Sequence, residues 1–566
     1  MPMKKGLLLA ALLLLFLSCK ENKNEKVKEA GPTTVLPQKR ELKSPFFWNA
    51  ANIYFLLTDR FNNGDTLNDI SLNRTKETAV LRGFMGGDIQ GITQKINDGY
   101  FTDLGINAIW FSPVVEQIHD NVDEGTGNTY GYHGYWAKDW TALDPNFGTK
   151  KELEILVKTA HENGIRILMD IVLNHTGPVT DLDPVWPKEW VRTGPICEYT
   201  NYETTTNCTL VRNLPDIITE SDEAVELPDA LLAKWKEEGR LSNELDELQV
   251  FFERTKYPRA PRFYIIKWLT DYVNDLGIDG FRVDTAKHTD EKTWKELYSE
   301  ASYAFNTWKR KHPEEVLDDN PFFMVGEVYG YKISGGREYD FGDKKVDYFD
   351  NGFHSLINFE LKDDANQDYE TIFSKYNDLL FTELEGKSVV NYLTSHDDID
   401  SFDKERKNPY HAANVLLLTP GASQIYYGDE SARNLTIEGA QGDATLRSFM
   451  NWGELDSIPL NQKILGYWQK LGQFRNEHPA IGAGKHQRLS KSPYVFGRTY
   501  LNGEFKDKVV VGLNLPKGKK HLWVKGFFGD GTKLHDAFSE TEVTVENGKV
   551  FLENDLDIAL LELVKK

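Results

Sequence analysis

Residues 261–288 read PRFYIIKWLTDYVNDLGIDGFRVDTAKH, and this stretch contains the pattern that decides the fold. Residues 261–276 are amphipathic, which predicts a helix, and residues 278–283 are a largely apolar run, which predicts a buried strand. Arg282 and Asp284 are two positions apart, so a strand would direct both side chains to one face. Because a neighbouring cation favours the ionised carboxylate, Asp284 is predicted to be an ionised group at a strand end and a candidate nucleophile.

The same alternation of helical patterns and apolar runs extends over most of the chain. Eight apolar strands separated by helices indicate an α/β fold of the (β/α)8 TIM barrel type, over residues 45–176 and 260–479. Between the third and fourth strands, residues 177–259 are too many for a simple loop and predict an inserted subdomain. The candidate strands are residues 53–57, 108–111, 165–172, 280–283, 322–325, 355–359, 389–393 and 423–427.

The pattern changes towards the C-terminus. Short β-type runs lie between turns rich in Gly, Asn and Asp, at residues 494–499, 508–514, 521–524 and 543–545. This spacing predicts a C-terminal antiparallel β-sandwich domain at residues 480–566.

The N-terminus has the pattern of an export signal. Lys4 and Lys5 precede an apolar run at residues 7–17, which is too short to span a bilayer. The Ser-Cys pair that follows resembles a bacterial lipobox, which implies cleavage before Cys19 and lipidation of its thiol; an ordinary signal peptide is the alternative. We therefore expect a signal peptide at residues 1–18, a flexible tether at residues 19–44, and an exported lipoprotein anchored to the outer membrane, on its periplasmic face or at the cell surface, by its lipid alone.

The charge of the chain limits the kinds of partner it can bind, and its cysteines allow one disulfide. Asp and Glu (87) exceed Lys and Arg (66), and the net charge of −21 argues against nucleic acid as a partner. Export would permit a disulfide between Cys197 and Cys208, and two free thiols are the alternative. We expect a monomer that acts on an uncharged or small-molecule substrate.

Polar side chains follow four of the predicted barrel strands. Asp170, Asn174 and His175 belong to the third, Asp284 to the fourth, and Glu327 to the fifth. The segment after the seventh strand contributes His396, Asp397 and Asp398. Any one of these is more often a solvated loop residue, but their coincidence at the C-terminal rim of one barrel predicts an active site there.

These four segments resemble the four sequence regions of the α-amylase family of retaining glycoside hydrolases, over residues 54–452. Three more segments resemble motifs of that family: GGDIQGI (86–92), YHGYW (132–136) and LPDI (214–217). Within the family, GFRVDTAKH, IYYGDE, RSFMNW and FRNEHPAIGAGK are similar to the bacterial periplasmic members that act in maltodextrin metabolism.

The resemblance implies a role for each residue of the predicted site. Asp284 would be the nucleophile, Glu327 the general acid/base, and Asp397 the carboxylate that holds sugar hydroxyls in the transition state. Retention needs two carboxyl groups about 5–5.5 Å apart, one ionised and one protonated, and apolar neighbours would raise the pKa of Glu327. The residues implied to bind sugar are His133, Tyr135, Trp136, His175, Arg282, Lys287, His288, His396, Asp443 and Arg447.

The resemblance also implies Ca²⁺, which takes oxygen ligands from separate segments. The first implied site joins barrel and insert through Asn174, Asp216 and the backbone carbonyl of His288. The alternative for this site is an Asn and an Asp satisfied by hydrogen bonds, and for a second implied site it is an Asn/Asp turn after the first strand. The second implied site is a loop formed by Asn63, Asp65, Asn68, Asp69, Gly86 and Asp88.

The resemblance favours retaining hydrolysis of α-1,4-glucosidic bonds in starch, glycogen or maltodextrins through a glucosyl-Asp284 intermediate. Transglycosylation, including cyclodextrin formation, is the alternative, although such enzymes usually carry further C-terminal domains. A non-catalytic glucan-binding lipoprotein is a third class, which we expect to lack at least one of Asp284, Glu327 and Asp397. The sequence leaves product length, mode of attack and tolerance of branches open.

Overall fold

Eight parallel strands close into a barrel, as the sequence predicts. In the computed structural model, which describes residues 44–564, consecutive barrel strands are neighbours and the last pairs with the first. The predicted signal peptide, Cys19 and the tether up to residue 43 lie outside the described residues. The strands are β1 (Asn52–Leu56), β2 (Ala108–Phe111), β3 (Arg166–Ile171), β4 (Gly280–Val283), β5 (Phe323–Gly326), β6 (Ser355–Asn358), β7 (Ser388–Asn391) and β8 (Ala422–Tyr426).

Helices cover the outside of the barrel, so its strands are buried on both faces and are apolar almost throughout. Residues 261–276 form one of these helices with the predicted bounds, but most of its residues are buried, so it is not the amphipathic helix that the pattern indicated. The long helices are α1 (Ile89–Asn97), α2 (Lys150–Glu162), α3 (Pro261–Leu276), α4 (Lys292–Lys311), α5 (Tyr369–Leu380), α6 (Pro409–Leu418) and α7 (Pro459–Glu477).

The alternation of strand and helix is less regular than the sequence pattern predicts. Between β5 and β6 the chain forms a strand pair, Glu338–Asp340 with Lys345–Asp347, between two 3-10 helices, Ile333–Gly335 and Tyr348–Asn351. Two further strand pairs lie after β2, Val115–Gln117 with Ala137–Leu143 and Val122–Asp123 with Asn128–Thr129. The remaining short helices are Trp48–Ala50, Thr58–Phe61, Tyr100–Asp103, Ala286–His288, Leu361–Asp364, Gly442–Arg447, Trp452–Ser457 and Ala480–Ala483.

The segment between β3 and α3 has two parts. Its first part contains the short strands Val191–Arg192 and Asp216–Ile217, the helix Tyr202–Thr206, and a disulfide between Cys197 and Cys208. Its second part consists of the helices Asp229–Glu237 and Leu241–Thr255. Trp235 on the first of these helices packs against Trp268 of α3, so the helical part shares its core with the barrel.

The C-terminal domain is antiparallel, as predicted, and contains more strands than the sequence pattern shows. Six of its strands form one sheet in the order β9-β10-β11-β16-β13-β14, and β12 pairs with β15. Val509 and Val511 of β11 face the main core, whereas Val510 faces the second, smaller core, as period-two alternation requires. The strands are β9 (Lys485–Ser490), β10 (Tyr494–Asn502), β11 (Phe505–Leu513), β12 (Gly518–Trp523), β13 (Lys533–Asp536), β14 (Thr541–Thr544), β15 (Lys549–Asn554) and β16 (Ile558–Leu563).

A buried ionic cluster joins α7 to the C-terminal sheet. The two ring nitrogens of His478 lie 2.8 Å from Asp507 and 2.8 Å from Glu562. Burial alone would lower the pKa of His478, but hydrogen bonds to these carboxylates raise it to about 9. The imidazolium is therefore charged at neutral pH and bridges β11 and β16 to the end of α7. None of the helices within residues 44–564 combines the length and the apolar content that a membrane span needs.

Candidate active site

The strand ends of β4 and β5 place Asp284 and Glu327 side by side. Asp284 follows β4 and donates its N–H to the Ile171 carbonyl at 3.0 Å, while Glu327 follows β5 and donates its N–H to the Val283 carbonyl at 2.9 Å. These backbone hydrogen bonds extend the pattern between neighbouring barrel strands to the rim of the barrel. The two carboxyls are therefore fixed by the register of adjacent strands.

The Arg282 guanidinium binds three carboxylates. Its Nη1 lies 2.7 Å from Asp284 Oδ1 and 2.9 Å from Asp170 Oδ1, and its Nη2 lies 3.0 Å from Glu327 Oε1. Arg282 and Asp170 are partners in the β3–β4 register, which explains their pairing. Asp170 is held in turn by Trp110 Nε1 at 2.9 Å and by the Tyr135 hydroxyl at 2.8 Å.

Burial raises the pKa values of the two central carboxyls, Asp284 and Glu327. It raises the pKa of Asp284 to about 6, although Arg282 acts to lower it. It raises the pKa of Glu327 to about 7, again against the influence of Arg282. The order of the two pKa values is that predicted, but the cation does not keep the pKa of Asp284 at an ordinary value, because desolvation is the larger effect.

Asp397 has a different environment and is firmly ionised. Its Oδ1 lies 2.5 Å from Arg447 Nη2, and its Oδ2 lies 2.9 Å from His396 Nε2. Partial desolvation acts to raise the pKa of Asp397, whose side chain is 39% exposed, but His396 and Arg447 hold that pKa well below its usual range. Arg447 also binds Asp443 at 2.7 Å, and Arg82 binds Asp443 from the other side at 2.8 Å.

Aromatic and imidazole rings lie beside the carboxylates. The Tyr135 ring is stacked on His396 with centroids 5.2 Å apart and on His133 with centroids 5.8 Å apart. Burial lowers the pKa of His175 to about 4 and that of His133 well below its usual value. Both are therefore neutral at pH 7, and a neutral imidazole offers one donor and one acceptor to a hydroxyl-rich ligand.

These groups open into one cleft of about 1320 Å³. Of the predicted sugar-binding residues, Arg282 and His396 line a smaller pocket that shares Glu327 and Asp397 with the cleft. The predicted residues that line it are Asp284, Glu327, Asp397, His133, Tyr135, Trp136, His175, Lys287, His288, Asp443 and Arg447.

Several cleft residues have no counterpart in the sequence prediction. Lys287 Nζ donates to the Tyr329 carbonyl at 3.0 Å, and the exposed Tyr329 ring lies beside it. The Tyr199 ring packs edge-on against His288 at 4.9 Å. Tyr329 follows Glu327 by only two residues, so its position was open to prediction, whereas Arg82 and Tyr199 come from segments distant in sequence.

The two side chains of the first predicted metal cluster are hydrogen-bonded within the protein. Asn174 Nδ2 donates to Asp216 Oδ1 at 2.7 Å, and the Thr289 hydroxyl donates to Asn174 Oδ1 at 3.1 Å. Arg192 Nε lies 3.3 Å from Asp216 Oδ2. His288 uses its ring Nδ1 to bind the Thr205 carbonyl at 3.1 Å. The protein itself thus satisfies both predicted side-chain ligands.

The second predicted cluster is not closed in this way. Asn63 Oδ1 and Asn68 Oδ1 are buried and have no hydrogen-bond partner among residues 44–564. Asn63 Nδ2 donates to Asp69 Oδ1 at 2.8 Å, and Asp88 accepts from the Asp65 N–H at 2.7 Å. Gly86 has φ +88°, and a Cβ there would lie 2.4 Å from Asn63 Nδ2, so a side chain would enter the cluster.

The α-amylase catalytic domain model matches residues 55–451 of the chain. The chain belongs to the α-amylase family. It is therefore an enzyme of the glycoside hydrolase class, as the sequence predicts. Members of this family act on glucans and often bind calcium.

Individual relatives of this family member support the assignment. It is 36% identical over 536 residues to the periplasmic α-amylase of Escherichia coli, covering 83% of this chain and 73% of the relative. It is 28% identical over 473 residues to the cyclomaltodextrin glucanotransferase of Geobacillus stearothermophilus, covering 82% of this chain and 59% of the relative. The fold is also similar to the crystal structure of a cyclomaltodextrin glucanotransferase with a three-domain ABC distribution, with a TM-score of 0.62 and 23% identity. The match covers 91% of this chain and 100% of that structure.

Proposed function

We propose that this α-amylase family member hydrolyses α-1,4-glucosidic bonds of starch, glycogen and maltodextrins with retention, through a glucosyl-Asp284 intermediate and with Glu327 as acid/base. The observation that carries the proposal is the Arg282 guanidinium, which binds both carboxyls in one cleft. The higher pKa of Glu327, about 7, makes it the proton donor, and Asp284, with a pKa of about 6, the nucleophile.

The first half of the reaction forms the covalent intermediate. The Asp284 carboxylate attacks the anomeric carbon while the bond from that carbon to the glycosidic oxygen breaks. Glu327 transfers its proton to the departing oxygen, so the leaving sugar has a free hydroxyl. Arg282 then forms an ion pair with the Glu327 carboxylate that remains, and the ionised Asp397 accepts hydrogen bonds from sugar hydroxyls and stabilises the positive charge on the ring.

The second half releases the sugar. Glu327 takes a proton from water, the hydroxide oxygen bonds to the anomeric carbon, and the Asp284–carbon bond breaks. Tyr135 would stack on the ring at the cleavage position, with the neutral His175 and the Asp397-bound His396 beside it. Lys287 and His288 would contact the leaving sugar, and Asp443 with Arg447 and Arg82 would contact the opposite side of the cleft.

Transglycosylation is the second candidate function, since the chain is also similar to cyclomaltodextrin glucanotransferases. The number of domains does not separate the two, because a three-domain transferase has the same fold. With amylose as substrate, we expect linear maltooligosaccharides and a steady rise in reducing ends. Chromatography of a product time course would overturn the hydrolytic proposal if cyclic products or disproportionated oligosaccharides without new reducing ends dominate.

The pH profile of kcat/KM should be bell-shaped and narrow. Asp284 must be ionised, so activity should fall as the pH drops below about 6. Glu327 must hold its proton, so activity should fall as the pH rises above about 7. Because both carboxyls contact Arg282, the acidic and alkaline sides of the pH profile report apparent pKa values of the pair and not of either residue alone. Initial rates on maltoheptaose measure the profile, and a plateau that continues well above pH 8 would contradict the assignment of Glu327 as the acid.

Calcium is part of the proposal at the loop of Asn63, Asp65, Asn68, Asp69 and Asp88. The two unpaired buried amide oxygens and three nearby carboxylates are the hard oxygen donors that Ca²⁺ prefers. The ion would neutralise these carboxylates and hold the segment after β1 against the start of α1, where Asp88 also caps the helix by accepting from the Gly91 N–H. The calcium ion would have a structural role at this loop and would take no part in the reaction.

We also infer that the protein is exported and anchored by lipid at Cys19. The basic and apolar N-terminal pattern and the Ser-Cys pair support this inference, as does the similarity to a periplasmic enzyme. Growth of the expressing bacterium with labelled palmitate should label the wild-type protein in the outer-membrane fraction. A Cys19→Ser variant should be unlabelled, and equal labelling of the two proteins would refute the anchor.

A further inference from the structure

The junction between barrel and insert is built around Asp216, a buried carboxylate at the position where the family resemblance implies calcium. Asp216 is 1% exposed. Its backbone strand meets the barrel rim directly, because the Ile217 N–H donates to the Asn174 carbonyl at 2.7 Å. A buried carboxylate requires a cation or several donors. The identity of that cation therefore decides how the insert is attached to the catalytic rim.

Two side-chain oxygens of this junction already have protein donors. Asp216 Oδ1 accepts from Asn174 Nδ2, and Asn174 Oδ1 accepts from the Thr289 hydroxyl. A calcium ion takes six to eight oxygens, and it would have to displace both of these bonds. The loop that contains Asn63 and Asn68 differs from this junction. The side-chain amide oxygens of both residues are buried there and have no hydrogen-bond partner among residues 44–564.

The positively charged guanidinium of Arg192 lies beside the buried Asp216 carboxylate. Arg192 and Asp216 are direct partners in the antiparallel pair Val191–Arg192 and Asp216–Ile217. Arg192 Nε lies 3.3 Å from Asp216 Oδ2, its Nη1 donates to the Asn207 carbonyl at 2.9 Å, and its Nη2 lies 2.5 Å from Glu220 Oε1. One side chain thus contacts three oxygen-bearing residues of the insert, Asn207, Asp216 and Glu220, as a coordinated metal ion would.

We propose that the Arg192 guanidinium is the cation of this junction and takes the place of calcium there. The planar fork of arginine presents five donors in fixed directions and stays charged at any physiological pH. Its positive charge also opposes entry of Ca²⁺ beside Asp216, since like charges repel strongly in a partly desolvated site. The insert is then attached to the rim that carries His175 and His288 without a metal ion at this position.

The first test measures calcium content in the full-length protein. The wild type and the Asp216→Asn, Asp69→Asn and double variants would be equilibrated with CaCl₂, desalted and analysed by mass spectrometry of the metal. We expect Asp216→Asn to contain as much calcium as the wild type. Loss of about one calcium per chain in Asp216→Asn would overturn the proposal. Asp69→Asn reports separately on the loop, so failure of the loop site is distinguishable from failure of the Arg192 proposal.

The second test measures the role of the guanidinium itself. In excess EDTA, Arg192→Ala should lower the thermal unfolding midpoint by about 5 °C, because it leaves Asp216 and Glu220 without their cation. Arg212→Ala, at an exposed arginine of the same insert, is the matched control and should leave the midpoint unchanged. An Arg192→Ala midpoint equal to that of the control would show that the guanidinium does not hold the junction.

Discussion

Replacement of Glu327 by Gln should lower kcat for starch hydrolysis by about a thousandfold or more and leave maltooligosaccharide affinity within about twofold. The amide has the shape of the carboxyl, so its carbonyl oxygen can still face Arg282 or accept from the Thr285 N–H, which binds Glu327 Oε2 at 2.9 Å. It cannot transfer a proton to the glycosidic oxygen. Steady-state rates on soluble starch and calorimetric titration with maltoheptaose measure the two effects.

A matched variant separates chemistry from packing. Glu360 is a similarly buried glutamate outside the cleft, where it binds Lys375 and the Ser334 hydroxyl, and Glu360→Gln should retain most activity. With α-maltosyl fluoride, whose leaving group needs no proton, the Glu327→Gln variant should recover much of its rate in the first half-reaction. Wild-type activity on starch in Glu327→Gln would exclude this residue as the acid.

The barrel was predictable because a buried parallel strand produces a signal that does not depend on distant residues. Residues 108–111 and 280–283 are apolar throughout apart from Arg282, and both strands have the predicted bounds. The β9, β13, β15 and β16 strands of the C-terminal domain were not predicted. In β15 the burial alternates from residue to residue, but the sequence KVFLEN does not alternate apolar and polar residues, so the period-two signal of a half-buried strand is missing.

The members of the candidate site were predictable from their strand ends, but their mutual contacts were not. Arg282 was expected to pair with Asp284, whereas its contact with Glu327 depends on β4 and β5 being neighbours in the barrel. The Arg82–Asp443 pair joins residues 361 positions apart. No local pattern encodes such a contact, because it arises only when the loops at the rim have folded.

The pKa of Asp284 could not be predicted from the sequence either. The sequence places a cation two residues away, and this alone predicts a low pKa. The folded barrel removes water from the carboxyl and adds Asp170 and Asp397 nearby, so the pKa rises to about 6. The balance between one favourable charge and desolvation can be judged only when the depth of burial is known.

Removal of the Asp284 carboxylate should abolish hydrolysis by about 10⁴-fold or more, and an external anion should restore turnover by a different route. In Asp284→Ala the vacated space lies beside Arg282, whose guanidinium keeps Asp170 and Glu327 as partners. Azide can enter that space from the face that Asp284 occupied and attack the anomeric carbon of α-maltosyl fluoride. Fluoride leaves, and the product is β-maltosyl azide, with inverted configuration, which NMR identifies.

Asp170 provides the control that tests the nucleophile directly, because it is equally buried and binds the same Arg282 nitrogen at 2.9 Å against 2.7 Å for Asp284. Asp170→Ala should also lose activity, since it releases Arg282, Trp110 and Tyr135, but azide should restore nothing, because Asp284 still occupies the position of attack. A 5-fluoro-glucosyl fluoride should label the wild type on the peptide containing Asp284, and mass spectrometry would locate the adduct. Azide rescue of Asp170→Ala, or an adduct on another carboxylate, would show that Asp284 is not the residue that bonds to the sugar.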